Sequence, residues 1–182
     1  WDALAMATRQ GYQDIIEILI RHNANVNTSD KDGETALMAA AVRNYTGIVN
    51  TLLNADADLH VRNKDGMSAM MLAACKGHTE TVAKLLKHGA NINAVNSDGE
   101  SALFCAASEG HTNVLKLLLN QQAHINHQDN AGETALFAAV LNRQTNAVRL
   151  AKLALQEPSL FREFRRKGDY LEQRHQSIQH IF

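Results

Sequence analysis

The sequence predicts an all-α solenoid: short helix-turn-helix units of equal length, joined by hairpin-like turns and stacked in one row. Two observations carry that prediction. Gly33, Gly66, Gly99 and Gly132 recur every 33 residues, and the segments DGETALMAAA, DGMSAMMLAAC, DGESALFCAAS and AGETALFAAV align around them without gaps. A fixed internal period of this length marks a repeat architecture. Within every copy, small and large apolar residues hold the same places: Ala36, Ala69, Ala102 and Ala135 stand beside Leu37, Met70, Leu103 and Leu136. One such unit cannot bury its apolar side alone, so neighbouring units must cover one another.

Each unit reads as a turn followed by two helices. The Asp-Gly pairs at 32/33, 65/66 and 98/99 are turn signals, because glycine reaches positive φ without steric cost. A first helix of about nine residues then starts at Asp2, Thr35, Ser68, Ser101 or Thr134, each able to accept from the free backbone N–H groups of the first turn. Thr46, Thr79, Thr112 and Thr145 are the candidate caps of the second helix, which carries aliphatic pairs such as Val49/Leu52 and Val82/Leu85. It stops near Asn23, Asp56 and Gly89, residues that tolerate a left-handed backbone. The units so defined are a partial repeat over 1–31, then 32–64, 65–97, 98–130 and 131–157.

The two ends depart from the period. The first copy, DALAMATRQGYQDIIEIL, lacks its own turn and presents Leu4 and Met6 with nothing before them, so further repeats or another domain are expected ahead of Trp1. Lys152 occupies a slot that is aliphatic in Ile20, Leu53, Leu86 and Leu119, the polar drift expected of a last repeat. After Pro158 a C-terminal helical extension, 158–182, is expected: a short helix over Ser159–Lys167 closed by Gly168, then another capped by Asp169 with Leu171, Ile178 and Phe182 near one face. It serves either as a lid on the last repeat or as a linker to another domain. The basic run Arg162, Arg165, Arg166 and Lys167 reads as a solvated face.

The repeated string resembles the ankyrin repeat, whose consensus runs DGxTPLHxAAxxGHxxVVxxLLxxGAxVNA. The best copy, Asp65 to Ala94, reads DGMSAMMLAACKGHTETVAKLLKHGANINA, and the resemblance extends over about five copies, from residue 1 to about 157. The departures are consistent. The consensus Pro is Ala in every copy, the consensus His is Ala5, Met38, Met71, Phe104 or Phe137, and a consensus Gly is replaced by Arg143. Losing the His removes a polar link between repeats and leaves a more apolar seam. The resemblance implies a protein-binding scaffold or adaptor rather than an enzyme. It also leaves room for a regulatory segment of a larger enzyme or channel, or of a bacterial host-directed effector, whose activity lies elsewhere. Asn27, Asn93 and Asn126 match the hairpin Asn that is hydroxylated in some eukaryotic members.

Composition agrees with a folded binding module. Hydrophobic residues make up 45% and charged residues 20%, which excludes a disordered or collagen-like chain, and the net charge of -1 supplies no general pull toward nucleic acid or membrane. The apolar stretches are too short for a membrane span. Two cysteines, Cys75 and Cys105, are too few for a disulfide framework and occupy different repeat positions, so a reducing compartment, cytoplasm or nucleus, is expected. Cys105 reads as a buried, inert thiol and Cys75 as a face position beside Lys76. No nucleophile–base arrangement, phosphate loop, dinucleotide fingerprint or HExxH string occurs. His78 and His111 fall on the consensus Gly-His position and read as structural, while His124 and His127 lack partners at zinc spacing. No cofactor or metal is expected.

In the resembled family, partners are held by the turn tips and the inner, concave face of the first helices. The corresponding candidates here are Arg9, Lys31, Arg43, Arg62, Lys64, Met67, Lys76, Val95, Asp98, Glu100, Glu109, Glu133 and Leu141. Bases crowd the first three copies and acids the last two, which predicts a groove positive at one end and negative at the other. Met67, Val95 and Leu141 are its apolar anchors. The expected partner is another protein, met by a monomer. The groove lacks the aromatic stacking residues that single-stranded nucleic acid requires.

Overall fold

The computed structural model describes residues 2–145, and within them the chain forms two layers of short helices. The first helices are α1 (Ala3–Gln10), α3 (Ala36–Val42), α5 (Ala69–Cys75), α7 (Ala102–Ser108) and α9 (Ala135–Leu141). The second helices are α2 (Gln13–Arg21), α4 (Thr46–Asn54), α6 (Thr79–Lys87) and α8 (Thr112–Asn120). Helices α1, α3, α5 and α7 each pack on the second helix of their own unit, neighbouring first helices pack on one another through to α9, and α2, α4, α6 and α8 pack in a second row. That is the nearest-neighbour geometry of a solenoid. The extension over 158–182, the basic run within it and Lys152 lie outside the described residues.

The caps of the first helices are as the sequence predicts. Asp2, Thr35, Ser68, Ser101 and Thr134 each stand in extended backbone and accept from the N–H three residues on. The second helices differ from expectation. Thr46, Thr79 and Thr112 are the first helical residues, and Tyr45, His78 and His111 hold the cap position without a side-chain bond to the helix. Their side chains serve the stack instead, since Nε2 of His78 pairs with the Val42 carbonyl at 2.9 Å and Nε2 of His111 with the Cys75 carbonyl at 2.9 Å. Thr145 stands at the edge of the described residues, and the helix expected after it lies outside them.

The first helices are also shorter than about nine residues: α3, α5, α7 and α9 have seven and α1 has eight. Each is halted by a residue of positive φ, successively Gly11, Asn44, Gly77, Gly110 and Arg143.

The core runs the length of the stack. Ile16, Val49, Leu52, Val82, Leu85, Val114 and Leu118 of the second helices are fully buried against the Ala-rich first helices. The places of the consensus His are buried too, as Ala5, Met38, Met71, Phe104 and Phe137, which makes the inter-repeat seam as apolar as the sequence suggests. Of the two side chains expected to be uncovered on the first helix, Leu4 is instead 2% exposed because it faces the core, while Met6 is exposed as expected. Among the described residues, Tyr12, Ile15 and Ile18 are large apolar side chains left exposed with it.

Candidate partner-binding face

The turn tips are built by a device that the sequence reading missed. Asp30, Asn63, Asn96 and Asp129 recur at the same period, and each Oδ1 accepts two backbone N–H groups, from Asp32 and Glu34, Asp65 and Met67, Asp98 and Glu100, or Ala131 and Glu133. An Asx side chain bonded to its own downstream backbone fixes a tight turn. Successive tips are then tied backbone to backbone: Lys64 N–H to Asp32 O at 2.9 Å, Ser97 N–H to Asp65 O at 3.0 Å, and Asn130 N–H to Asp98 O at 2.9 Å. Further along the connections, Asn27 Oδ1 accepts from Asp58 N–H at 2.7 Å and Asn93 Oδ1 from His124 N–H at 2.9 Å. The tips therefore form a continuous rail beside the first-helix layer.

Desolvation works against the charge of Asp30. The N–H groups of Glu34 and Asp32, helped by the Arg9 guanidinium, outweigh it and hold the carboxyl below its ordinary value of 3.8.

Of the predicted basic residues, Lys31, Arg62 and Lys64 stand on the turn tips, while Arg9, Arg43 and Lys76 stand at the C-terminal ends of α1, α3 and α5. Arg9 and Lys64 are partly engaged by acids of a neighbouring tip: Arg9 Nη2 meets Glu34 Oε2 at 3.1 Å, and Lys64 Nζ meets Asp32 Oδ1 at 3.3 Å. Lys31, Arg43, Arg62 and Lys76 are exposed. Arg43 lies back on the Ala39 carbonyl and Arg62 donates to the Val95 carbonyl, so both guanidinium groups have their stems steered by the scaffold. Of the acids, Asp98 and Glu109 are exposed, while Glu100 and Glu133 are half-buried. Glu100 accepts from Asn96 Nδ2 at 2.8 Å. With Asp30, Asp32, Glu34 and Asp65 the first half sets four acids against six bases, and with Asp129 the second half has five acids and none of the bases named, so the asymmetry remains.

The apolar candidates are less prominent than the sequence suggests. Met67, Val95 and Leu141 are half-buried, and the Met67 sulfur receives Asn96 Nδ2 at 3.6 Å. They contribute edges of apolar surface between charged tips.

The two cysteines are brought together, which their different repeat positions concealed. Cys75 at the end of α5 is half-buried and Cys105 within α7 is buried, both as free thiols. The neighbouring Cys105 thiol, opposed by burial and by the field of Glu100 and Glu109 and aided by Lys76, holds Cys75 below the ordinary cysteine range. The neighbouring Cys75, together with burial, pushes the Cys105 thiol far up.

His124 is exposed, and Nε2 of His127 pairs with the Gly99 carbonyl at 2.8 Å. Among the described residues no group of three or more His, Cys, Asp and Glu side chains could hold a metal ion, and no helix is long and apolar enough to cross a membrane.

A family model described as ankyrin repeats matches the chain in three overlapping copies, over residues 1–63, 43–129 and 70–157. No match was found among curated proteins.

Proposed function

The chain belongs to the ankyrin repeat family, a family of protein–protein interaction modules, and from that premise we propose that it is a non-catalytic scaffold or adaptor that holds one protein along its first-helix face and turn tips. The observation that supports this reading is the charge order along the turn tips and first-helix ends. Lys31, Arg43, Arg62 and Lys76 stand exposed on the first three repeats, and Asp98, Glu100, Glu109 and Glu133 follow on the fourth and fifth. The partner that fits presents an acidic segment to the former and a basic segment to the latter. Complementary fields of this kind set orientation and association rate more than total affinity.

Because the rail is held by Asx bonds and backbone ties, binding requires little ordering of the module itself, which limits the entropic cost of association. The chain acts as a monomer in a reducing compartment, cytoplasm or nucleus, consistent with two free thiols.

The test is capture of a partner by the wild-type chain and by the triple variant Arg43→Glu, Arg62→Glu, Lys76→Glu. The variant should bind at least about tenfold more weakly, with a shallower salt dependence. Its thermal unfolding should be nearly unchanged, because the three side chains are exposed. Equal binding by both proteins would remove the reading.

A further inference from the structure

We propose that the leading face of the first repeat is a second interaction surface, and that its occupant is one further helix-turn-helix repeat of the ankyrin type. Met6 of α1, Tyr12 at the cap of α2, and Ile15 and Ile18 within α2 are 48%, 53%, 46% and 50% exposed. The three-residue spacing of Tyr12, Ile15 and Ile18 sets them on one face of the helix. A repeat that ends a stack carries a polar outer face, whereas this face is apolar, and grouped exposed apolar side chains mark contact surfaces.

The later repeats show what covers these places. Ile15 corresponds to Ile48, Thr81 and Val114, all buried, and Met6 to Ala39, Cys105 and Ala138, buried likewise, and to the half-buried Leu72. The cover is the preceding repeat, because neighbouring first helices pack on one another from α1 through α9 and neighbouring second helices from α2 through α8. Polar atoms mark the same contacts. Thr81 Oγ1 donates to Asn44 Oδ1 of the preceding repeat at 2.9 Å, and Thr51, the counterpart of Ile18, accepts from Gln13 Nε2 at 2.7 Å. The counterparts of Tyr12 also reach back: Nε2 of His78 and of His111 pairs with the carbonyl of Val42 or Cys75 at 2.9 Å. The leading face of the first repeat thus continues the seam surface used between the described repeats, and the trailing face of another repeat is what fits it.

Its side chains specify that trailing face. Tyr12 needs bare backbone beneath it, as Tyr45 has at Gly11, where a Cβ would stand 3.1 Å from the Tyr45 ring. Ile18 has no polar group to meet an amide, so the occupant carries an apolar residue where Gln13 stands in the first repeat. This face closes the end of the row rather than running along it, apart from the proposed concave-face partner.

The test inserts a second copy of residues 2–34 between Trp1 and Asp2 of the full chain, which keeps the 33-residue period and sets Gly11 of the outer copy under Tyr12 of the original. The extended chain should melt about 5 °C or more above the original. Ile15→Asp with Ile18→Asp should move the melting of the unextended chain by no more than about 2 °C, because both side chains are exposed there. In the extended chain the same pair should cost about 5 °C or more in the original repeat, where it is covered, and no more than about 2 °C in the outer copy, where it is not. Gln13→Leu in the outer copy alone should raise the melting further, by about 2 °C. An extended chain that melts no higher, an Asp pair that costs the same in either copy, or a loss from Gln13→Leu in the outer copy would overturn the proposal. So would self-association of the unextended chain, seen by sedimentation and abolished by the Asp pair, because the occupant would then be a second copy.

Discussion

Gln122 holds φ at 61°, in the place that Asn23, Asp56 and Gly89 occupy in earlier repeats. A left-handed backbone costs a residue with a Cβ roughly 1–2 kcal/mol, partly offset in a glycine variant by about 0.4–1 kcal/mol of extra unfolded-chain entropy. Gln122→Gly should therefore stabilise the chain by roughly 0.5–1 kcal/mol in denaturant unfolding. Gly66 shows the opposite case at similar φ. A Cβ there would stand 2.7 Å from the Ser97 nitrogen, the group tied to Asp65, so Gly66→Ala should cost about 2 kcal/mol or more.

Asp30 gives a pH signature. Its folded value lies below 3.8, so the ionised carboxyl contributes stability that is complete above about pH 5 and fades as pH falls through the folded value. Asp30→Asn, which copies Asn63 and Asn96, keeps the two-bond turn and removes the titration. Between about pH 5 and pH 3, measured unfolding free energy should fall more in the wild type than in the variant. The Asx turn recurs at the period that exposed the repeat, yet only the hydrogen-bond geometry separates it from an ordinary polar tip.

At the scale of the helix, local chemistry was readable where one residue makes the whole interaction. A first-helix cap needs one side chain and a nearby N–H, and Thr35, Ser68, Ser101 and Thr134 satisfy it without help from the stack. The second-helix assignment failed because the cap position belongs to Tyr45, His78 and His111, which reach the preceding repeat rather than their own helix. Ser101→Ala should consequently cost about 1 kcal/mol in thermal or denaturant unfolding. Thr46→Ala, at a first helical residue with no cap bond, should change stability by less than about 0.5 kcal/mol. Equal costs for the two would contradict the cap assignment.

Over the whole molecule the 33-residue period was enough to predict the two helical layers, because each repeat touches only its neighbours and the pattern leaves little topological choice. The charges of the face were equally visible. Their use was not: Arg9 with Glu34 joins α1 to the next tip and Lys64 with Asp32 joins two tips, and such contacts depend on which side chains the turns bring within reach. Outside those pairs, Lys31, Arg43, Arg62 and Lys76 stand exposed beside Asp65, against Asp98 and Glu109, and this polarity is what the proposed binding rests on.

The most direct test is the dissociation constant of a captured partner, measured from about 50 to 200 mM salt for the wild type and for the Arg43→Glu, Arg62→Glu, Lys76→Glu variant. The account predicts affinity that falls with salt in the wild type, and a variant that is at least about tenfold weaker with a shallower fall. Two superimposable salt curves would contradict it.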